Sequence, residues 1–178
     1  MGKELHSENM MVVVLIKSAA QAIPSYCMST FLIPISLADE LQRMLNSFWW
    51  GSKKNGGRSM HWLNWSKMCT TKDTGGLGFR DFMNFNIAML GKQGWRLISD
   101  PDALVCKVLK AKYYPTGDFL NAKLGHNPSY IWRSIWSSQV LLAKGIRWKI
   151  EYGRNIRVWT DPWLRDPKNH KMETLPIP

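Results

Sequence analysis

Acidic residues are scarce in this chain: 13 Asp and Glu stand against 24 Lys and Arg in 178 residues, a net charge of +11 at neutral pH. Two-metal phosphoryl chemistry needs several carboxylates converging on cations about 4 Å apart. The few acids here, with Asp100-Pro101-Asp102 as the closest pair beyond Asp39-Glu40, read as caps, turns and solvated faces. No catalytic residue and no metal-dependent nuclease or polymerase activity is therefore expected. Cysteine is also sparse. Cys27, Cys69 and Cys106 are odd in number and widely spaced, which excludes a disulfide framework and points to a reducing compartment. No Cys-x-x-Cys or His-x-x-x-His pair occurs, so neither a structural zinc site nor any other cofactor is expected, and the thiols read as buried and neutral. Long apolar runs are missing too. The longest, Met10 to Ile16, stops at Lys17, far short of the ~20 residues a bilayer requires.

The N-terminus mixes acids with bases before any apolar stretch, unlike a signal peptide. Gly2 is followed by His6 where a myristoylation signal needs Ser or Thr. A nuclear or cytoplasmic protein without a membrane partner is the expectation. What the chain does have is aromatic surface: ten Trp, six Phe and five Tyr, enough apolar area to offset chain entropy and to exclude disorder for the bulk. The positive charge is uneven. Residues 1–50 carry three bases and four acids, net −1, whereas residues 51–178 carry 21 bases and nine acids, net +12. A polyanion, nucleic acid ahead of membrane, is the partner such an excess fits. A solvated basic surface without a partner is the competing reading.

Periodicity predicts a mainly helical chain. Residues 11–32 read as helix interrupted at Pro24. A second helix is expected after Ser36 as N-cap, with Leu37, Leu41, Met44, Leu45, Phe48 and Trp49 on one stripe and Gly51 at its end. Residues 51–60 read as a flexible basic loop, and His61 to Trp65 as a short aromatic segment, with a strand as one reading, before a helical turn near Ser66. Gly75-Gly76-Leu77-Gly78 reads as a tight turn. Asp81 caps a helix to about Ile98, with Met83, Ile87, Leu90, Gly94 and Leu97 at helical spacing. Asp100-Pro101-Asp102 breaks it. The next helix is expected to bury Leu104, Val105, Val108 and Leu109, and one capped by Ser129 to bury Ile131, Trp132, Ile135, Trp136 and Leu142. From Ile146 the period changes to two, and Gly153-Arg154-Asn155 separates two alternating runs, which predicts an antiparallel β-hairpin up to Thr160. The expected fold is thus a helical bundle-like domain, mainly α within the α+β class, with a small C-terminal hairpin. It divides into a helical segment 1–50, a basic Trp-rich domain 51–165 and a disordered tail 166–178.

Several motifs carry no chemistry. The glycine run lacks the Lys-Ser/Thr of a P-loop and the spacing of a dinucleotide fingerprint, so a structural turn is favoured over a phosphate cradle. No Ser or Cys has a nucleophile elbow. Bases interleaved with aromatics remain. Lys53, Lys54 and Arg58 follow Trp49-Trp50, and the hairpin offers Arg147, Lys149, Arg154, Arg157 and Trp159. Cations gain affinity for phosphates by counterion release, and exposed rings stack on unpaired bases. Most tryptophans are expected in the core, with Trp50 and Trp159 as the exceptions.

Longer stretches carry a resemblance. Val14-Leu15-Ile16-Lys17-Ser18, Gln21 to Tyr26 and Leu45-Asn46-Ser47-Phe48-Trp49-Trp50-Gly51 closely resemble plant non-LTR (LINE-type) retrotransposon reverse transcriptases. The similarity continues through His61-Trp62, Gly75 to Arg80, Asn86 to Gln93, Trp95-Arg96, Lys112 to Pro115, Trp132 to Trp136 and Val158 to Leu164, covering residues 11–165. In such polyproteins this stretch follows the polymerase palm, as a thumb or connection part upstream of a zinc-binding segment and a ribonuclease H domain. The Tyr-x-Asp-Asp polymerase motif has no match here, and neither do the Cys/His segment or the ribonuclease H acids. The resemblance therefore implies a non-catalytic fragment contacting RNA or DNA, whose further partner would be the polymerase domain of the parent polyprotein. The rival expectation is an inactive interaction remnant in which the Leu37/Leu41/Phe48/Trp49 stripe faces that absent domain.

Overall fold

Helices form where an apolar period of 3.6 meets a side-chain cap. The computed structural model describes residues 10–51, 62–146, Val158 and Leu164. Among these run α1 (10–15), α2 (Ser25–Met28), α3 (Ile35–Gly51), α4 (Trp65–Met68), α5 (Phe82–Ser99), α6 (Leu104–Tyr113), α7 (Tyr130–Ser137) and α8 (Gln139–Gly145). α1 passes into a π-helical turn at Ile16–Ala20, and α2 begins directly after Pro24. Caps fix three starts. The Asn64, Asp81 and Ser129 side chains accept from the amides of Lys67, Asn84 and Trp132, which open α4, α5 and α7. α3 starts one residue before the expected cap, with the Ala38 amide donating to the Pro34 carbonyl at 3.1 Å.

α5 is the element on which the others pack. Its N-terminal half meets α2 and α3, and its C-terminal half meets α7 and α8. At the N-terminal end Met28, Ile33, Ala38 and Phe82 form one buried cluster. A fully buried Asn86 bridges this junction. Its Oδ1 accepts from the Ile33 amide at 2.8 Å, and its Nδ2 donates to the carbonyls of Met28 at 2.7 Å and Phe31 at 2.9 Å. The turn between α2 and α3 is held from α7 as well: the Leu32 amide donates to Ser134 Oγ at 2.9 Å, and the Tyr130 hydroxyl donates to the Leu32 carbonyl. Residues 28–33 are thus tied to helices some 50 and 100 positions further along, and α1 to α3 dock on the rest of the chain.

At its other end α5 runs close to α8. A Cβ on Gly94 would lie 2.6 Å from Leu142 Cδ1 and 2.9 Å from both Phe119 Cε1 and Ser138 Oγ. Only a hydrogen fits at this crossing. The adjoining core gathers Leu97, Cys106, Tyr114, Phe119, Trp132, Ile135, Leu142 and Ile146. Trp132 lies at its centre, stacked on Tyr113 at 4.7 Å and Tyr114 at 5.5 Å, with Phe119 edge-on at 5.9 Å. The loop 119–124 is fastened to it by donors: Trp132 Nε1 to the Leu124 carbonyl, Trp136 Nε1 to Ala122, and Gln139 Nε2 to Phe119 and Ala122.

The mainly α expectation holds, but the C-terminal antiparallel β-hairpin does not. No strand occurs among the described residues; Ile146 closes α8 in the core and Val158 lies in a turn, while 147–157 and 159–163 fall outside them. Period-two alternation over a few residues is weak evidence on its own, and a two-stranded ribbon needs a third strand or a packed face to be stable. The segment Trp62 to Asn64 is likewise not a strand. Two helices are rotated from their expected faces. On α3 the buried edge runs through Ala38 to Trp50, with Leu41, Leu45 and Trp49 half-buried, while Leu37, Met44 and Phe48 face outward. On α6 Cys106 is buried, with Leu109 and Tyr113 half-buried, whereas Leu104, Val105 and Val108 are exposed. Both helices offer more apolar positions than their neighbours cover, so part of each apolar set is left outside. The helix capped by Ser129 divides at Ser138, whose buried Oγ lies 3.4 Å from the Leu90 carbonyl, and Ile131 is exposed.

Candidate nucleic-acid interface

All eight expected contact residues, Lys53, Lys54, Arg58, Arg147, Lys149, Arg154, Arg157 and Trp159, lie outside the described residues. Their flanks are described. Trp50 and Trp65, on either side of 52–61, belong to one buried cluster with Ile16, Met68 and Phe79. Trp65 stacks on Phe79 at 5.1 Å and its Nε1 donates to the Arg80 carbonyl at 3.3 Å, while Trp49 meets Phe79 edge-on at 5.9 Å. The basic stretch 52–61 is therefore attached at both ends to one packed aromatic cluster. Trp50 is 7% exposed, so it is a core residue rather than an expected exception. Among the described residues, the tryptophans that depart from the rule are Trp62 at 72% and Trp95 at 42% exposure.

The described residues carry 13 bases and seven acids, 13 − 7 = +6. Three cations lie over rings: Arg80 on Phe85 at 4.5 Å, Lys112 on Tyr113 at 5.2 Å and Lys17 on Phe79 at 5.9 Å. One ion pair occurs among the described residues, Lys107 to Asp102 at 3.3 Å, and it is solvent-exposed, so it contributes little to stability. The other bases of α6, Lys110 and Lys112, are exposed without a carboxylate partner.

The glycine turn is fully occupied by its own chain. The amides of Gly75, Gly76, Leu77, Gly78 and Phe79 donate to the carbonyls of Lys72, Thr71, Met68, Thr70 and Met68 in turn. None is left to face an anion, as a phosphate cradle requires. Gly75 and Gly78 have φ of 84° and 65°, and a Cβ on Gly76 would overlap the Thr70 carbonyl, so the glycines here serve folding. The expectation of buried thiols holds for Cys106 and in part for Cys69, whereas Cys27 is exposed. Burial, reinforced by Asp81, pushes the Cys69 thiol up to about 11. Burial raises that of Cys106 as well, where its Sγ faces the Arg96 carbonyl. Among the described residues no group of three or more His, Cys, Asp or Glu could hold a metal ion, and no helix is long and apolar enough to cross a membrane.

One outward group went unnoticed in the sequence. The buried stripe of α5, Phe82-Asn86-Leu90-Gly94-Leu97, leaves Lys92, Trp95, Arg96 and Ser99 exposed. Their spacing, opposite the expected apolar stripe, was the available signal.

No protein-family profile matches the chain, and no solved structure matches it. Two proteins of Arabidopsis thaliana do. An uncharacterized mitochondrial protein is 40% identical over 146 residues, which are 82% of this chain and 94% of that protein. A protein named as a ribonuclease H protein is 34% identical over 155 residues, 84% of this chain. The chain spans about a quarter, 24%, of the length of that second relative. With near end-to-end coverage of the first relative, the chain belongs to the family of that plant mitochondrial protein, one related in sequence to part of a ribonuclease H protein.

Proposed function

We propose that the chain is a non-catalytic fragment of a LINE-type reverse transcriptase polyprotein that contacts RNA or DNA through its basic surface. The observation that carries this reading is a net charge of +11 in a chain related to part of a protein named for a ribonuclease. The thumb or connection region is the part the motif order fits, from Val14-Leu15-Ile16 through Val158 to Leu164. Lys53, Lys54, Arg58, Arg147, Lys149, Arg154 and Arg157 supply the phosphate contacts, and Trp159 a stacking ring. Nucleus or cytoplasm is the compartment proposed. Non-catalytic status rests on the lack of a Tyr-x-Asp-Asp motif in the sequence. Purified full-length chain should give no primer extension and no cleavage of an RNA–DNA hybrid with Mg²⁺ or Mn²⁺. Reproducible metal-dependent turnover in either assay would overturn the non-catalytic part of the reading.

A second reading has its own support. The outward apolar rows Leu37-Met44-Phe48 of α3 and Leu104-Val105-Val108 of α6 are surfaces of the kind that cover partners. On this reading the chain is an interaction remnant without nucleic-acid affinity. Size-exclusion chromatography separates the two: a clean monomer favours the binding module, and concentration-dependent association favours the remnant.

A further inference from the structure

Seven tryptophans lie among the described residues, and five have a place in the packing. Trp49, Trp50, Trp65 and Trp132 meet other rings, and Trp65, Trp132 and Trp136 donate their indole N–H to backbone carbonyls. Trp95 has neither. It projects from the C-terminal half of the longest described helix, 42% exposed, whereas the other rings of that helix, Phe82 and Phe85, are buried and half-buried.

Its neighbours are cations. On a helix, positions three and four apart share a face, so Lys92 adjoins both Trp95 and Arg96, and both bases are exposed. No Asp or Glu occurs between Phe82 and Ser99. Asp100, the C-cap, forms no ion pair with Arg96, and Asp102 is engaged by Lys107. The remaining exposed positions of α5, Asn84, Ala88 and Ser99, add no large apolar side chain. A protein-docking surface gathers its aromatic anchors in an apolar patch and thins out charge at its centre. This surface does the reverse, with one ring set among unpaired cations.

We propose that Lys92, Trp95 and Arg96 form a base-stacking platform for single-stranded nucleic acid, in which the indole stacks on an unpaired base and the two cations neutralise the flanking phosphates. Every base presents a π-face, so the platform is indifferent to sequence. A duplex keeps its bases stacked on one another and offers this surface only phosphates. The platform rests on the nucleic-acid reading above and narrows it to unpaired strands.

The test uses the full chain and two fluorescent probes, a 20-nucleotide oligo-dT and a hairpin duplex of equal charge, titrated at ~50 mM salt. Trp95→Ala should weaken oligo-dT binding by about 5- to 100-fold and leave duplex binding within twofold. Trp95→Phe should restore most of the loss, and thermal melts of Trp95→Phe should match the parent, so that a loss of affinity shared with an unfolded Trp95→Ala is told apart from loss of the stacking ring. Lys92→Gln with Arg96→Gln should weaken both probes and flatten the salt dependence. Five results would overturn the platform. Oligo-dT affinity unchanged in Trp95→Ala, with the parent still binding, removes the platform while leaving the broader reading intact. An equal loss on both probes, or no rescue by Phe, removes it as a stacking site. A variant that keeps its affinity but loses self-association would mark the indole as a protein contact instead. No binding of either probe by the parent would remove the broader reading and the platform together.

Discussion

The two ends of α5 are joined to their neighbours by opposite means. At the N-terminal end a buried amide, Asn86, fills a gap between elements with three hydrogen bonds to backbone. At the C-terminal end there is no gap to fill, because Gly94 lets α8 approach until only a hydrogen fits. One junction is satisfied polar chemistry and the other is steric closeness. The difference teaches where each fails. Removing a partner exposes the first to an unmet desolvation cost, whereas adding a single carbon strains the second.

The comparison is broken most severely by Asn86→Ala, which strands the Ile33 amide and the Met28 carbonyl in a dry interior. A loss of about 3–5 kcal/mol is expected from the penalties for unsatisfied buried groups, read by urea denaturation. A loss below about 1 kcal/mol would show that the turn 28–33 is held without it. Gly94→Ala comes next. Overpacking costs roughly 1–3 kcal/mol, offset by up to ~1 kcal/mol of helix propensity, so a net loss of about 1–2 kcal/mol should appear in the same titration. A stabilised variant would mean that Leu142 and Phe119 move aside freely. Asp81→Ala removes the cap that starts α5 and should cost about 1 kcal/mol, with Asp81→Ser recovering most of it.

Titration of Cys69 leaves stability at neutral pH untouched and has a defined sign. Its folded thiol titrates near 11, raised from 9.0 chiefly by burial. The unfolded chain therefore releases that proton first, and this thiol's contribution is complete below pH 9 and declines as pH rises towards 11. Cys69→Ala should show a shallower loss of melting temperature over that window than the parent. Parallel pH profiles would mean that the thiol is not shielded.

Much of this architecture was legible in the chain. Asp81 and Ser129 announced their helices because capping is local chemistry, readable from three or four residues. The inner face of α5 was legible in its C-terminal half, where Leu90, Gly94 and Leu97 are buried as their spacing predicts, whereas Phe82 and Asn86 take the inward positions expected of Met83 and Ile87. The rotations of α3 and α6 were not legible, since both helices offer more apolar positions than the core covers. The inward edges hold Ala38 and Cys106, small residues that no hydrophobicity pattern ranks above Leu37 or Leu104. Asn86 was invisible as a linchpin because its three partners lie more than 50 positions away. The expected hairpin failed on a related point: alternation states which side chains share a face but not whether a third strand exists to cover it. Among candidate contacts, Lys53, Lys54 and Arg58 stand out by local charge density, whereas Lys92, Trp95 and Arg96 are marked only by sharing the outward face of α5 and by the exposure of Trp95, which the sequence does not state.

The central claim, a cationic surface that holds nucleic acid, is most directly tested by fluorescence anisotropy of a labelled single strand with the full chain, repeated from ~50 to ~200 mM salt. Neutralising four to seven phosphates predicts a log–log slope of about −3 to −5. Absent binding at ~50 mM, or an affinity that does not change with salt, would contradict it.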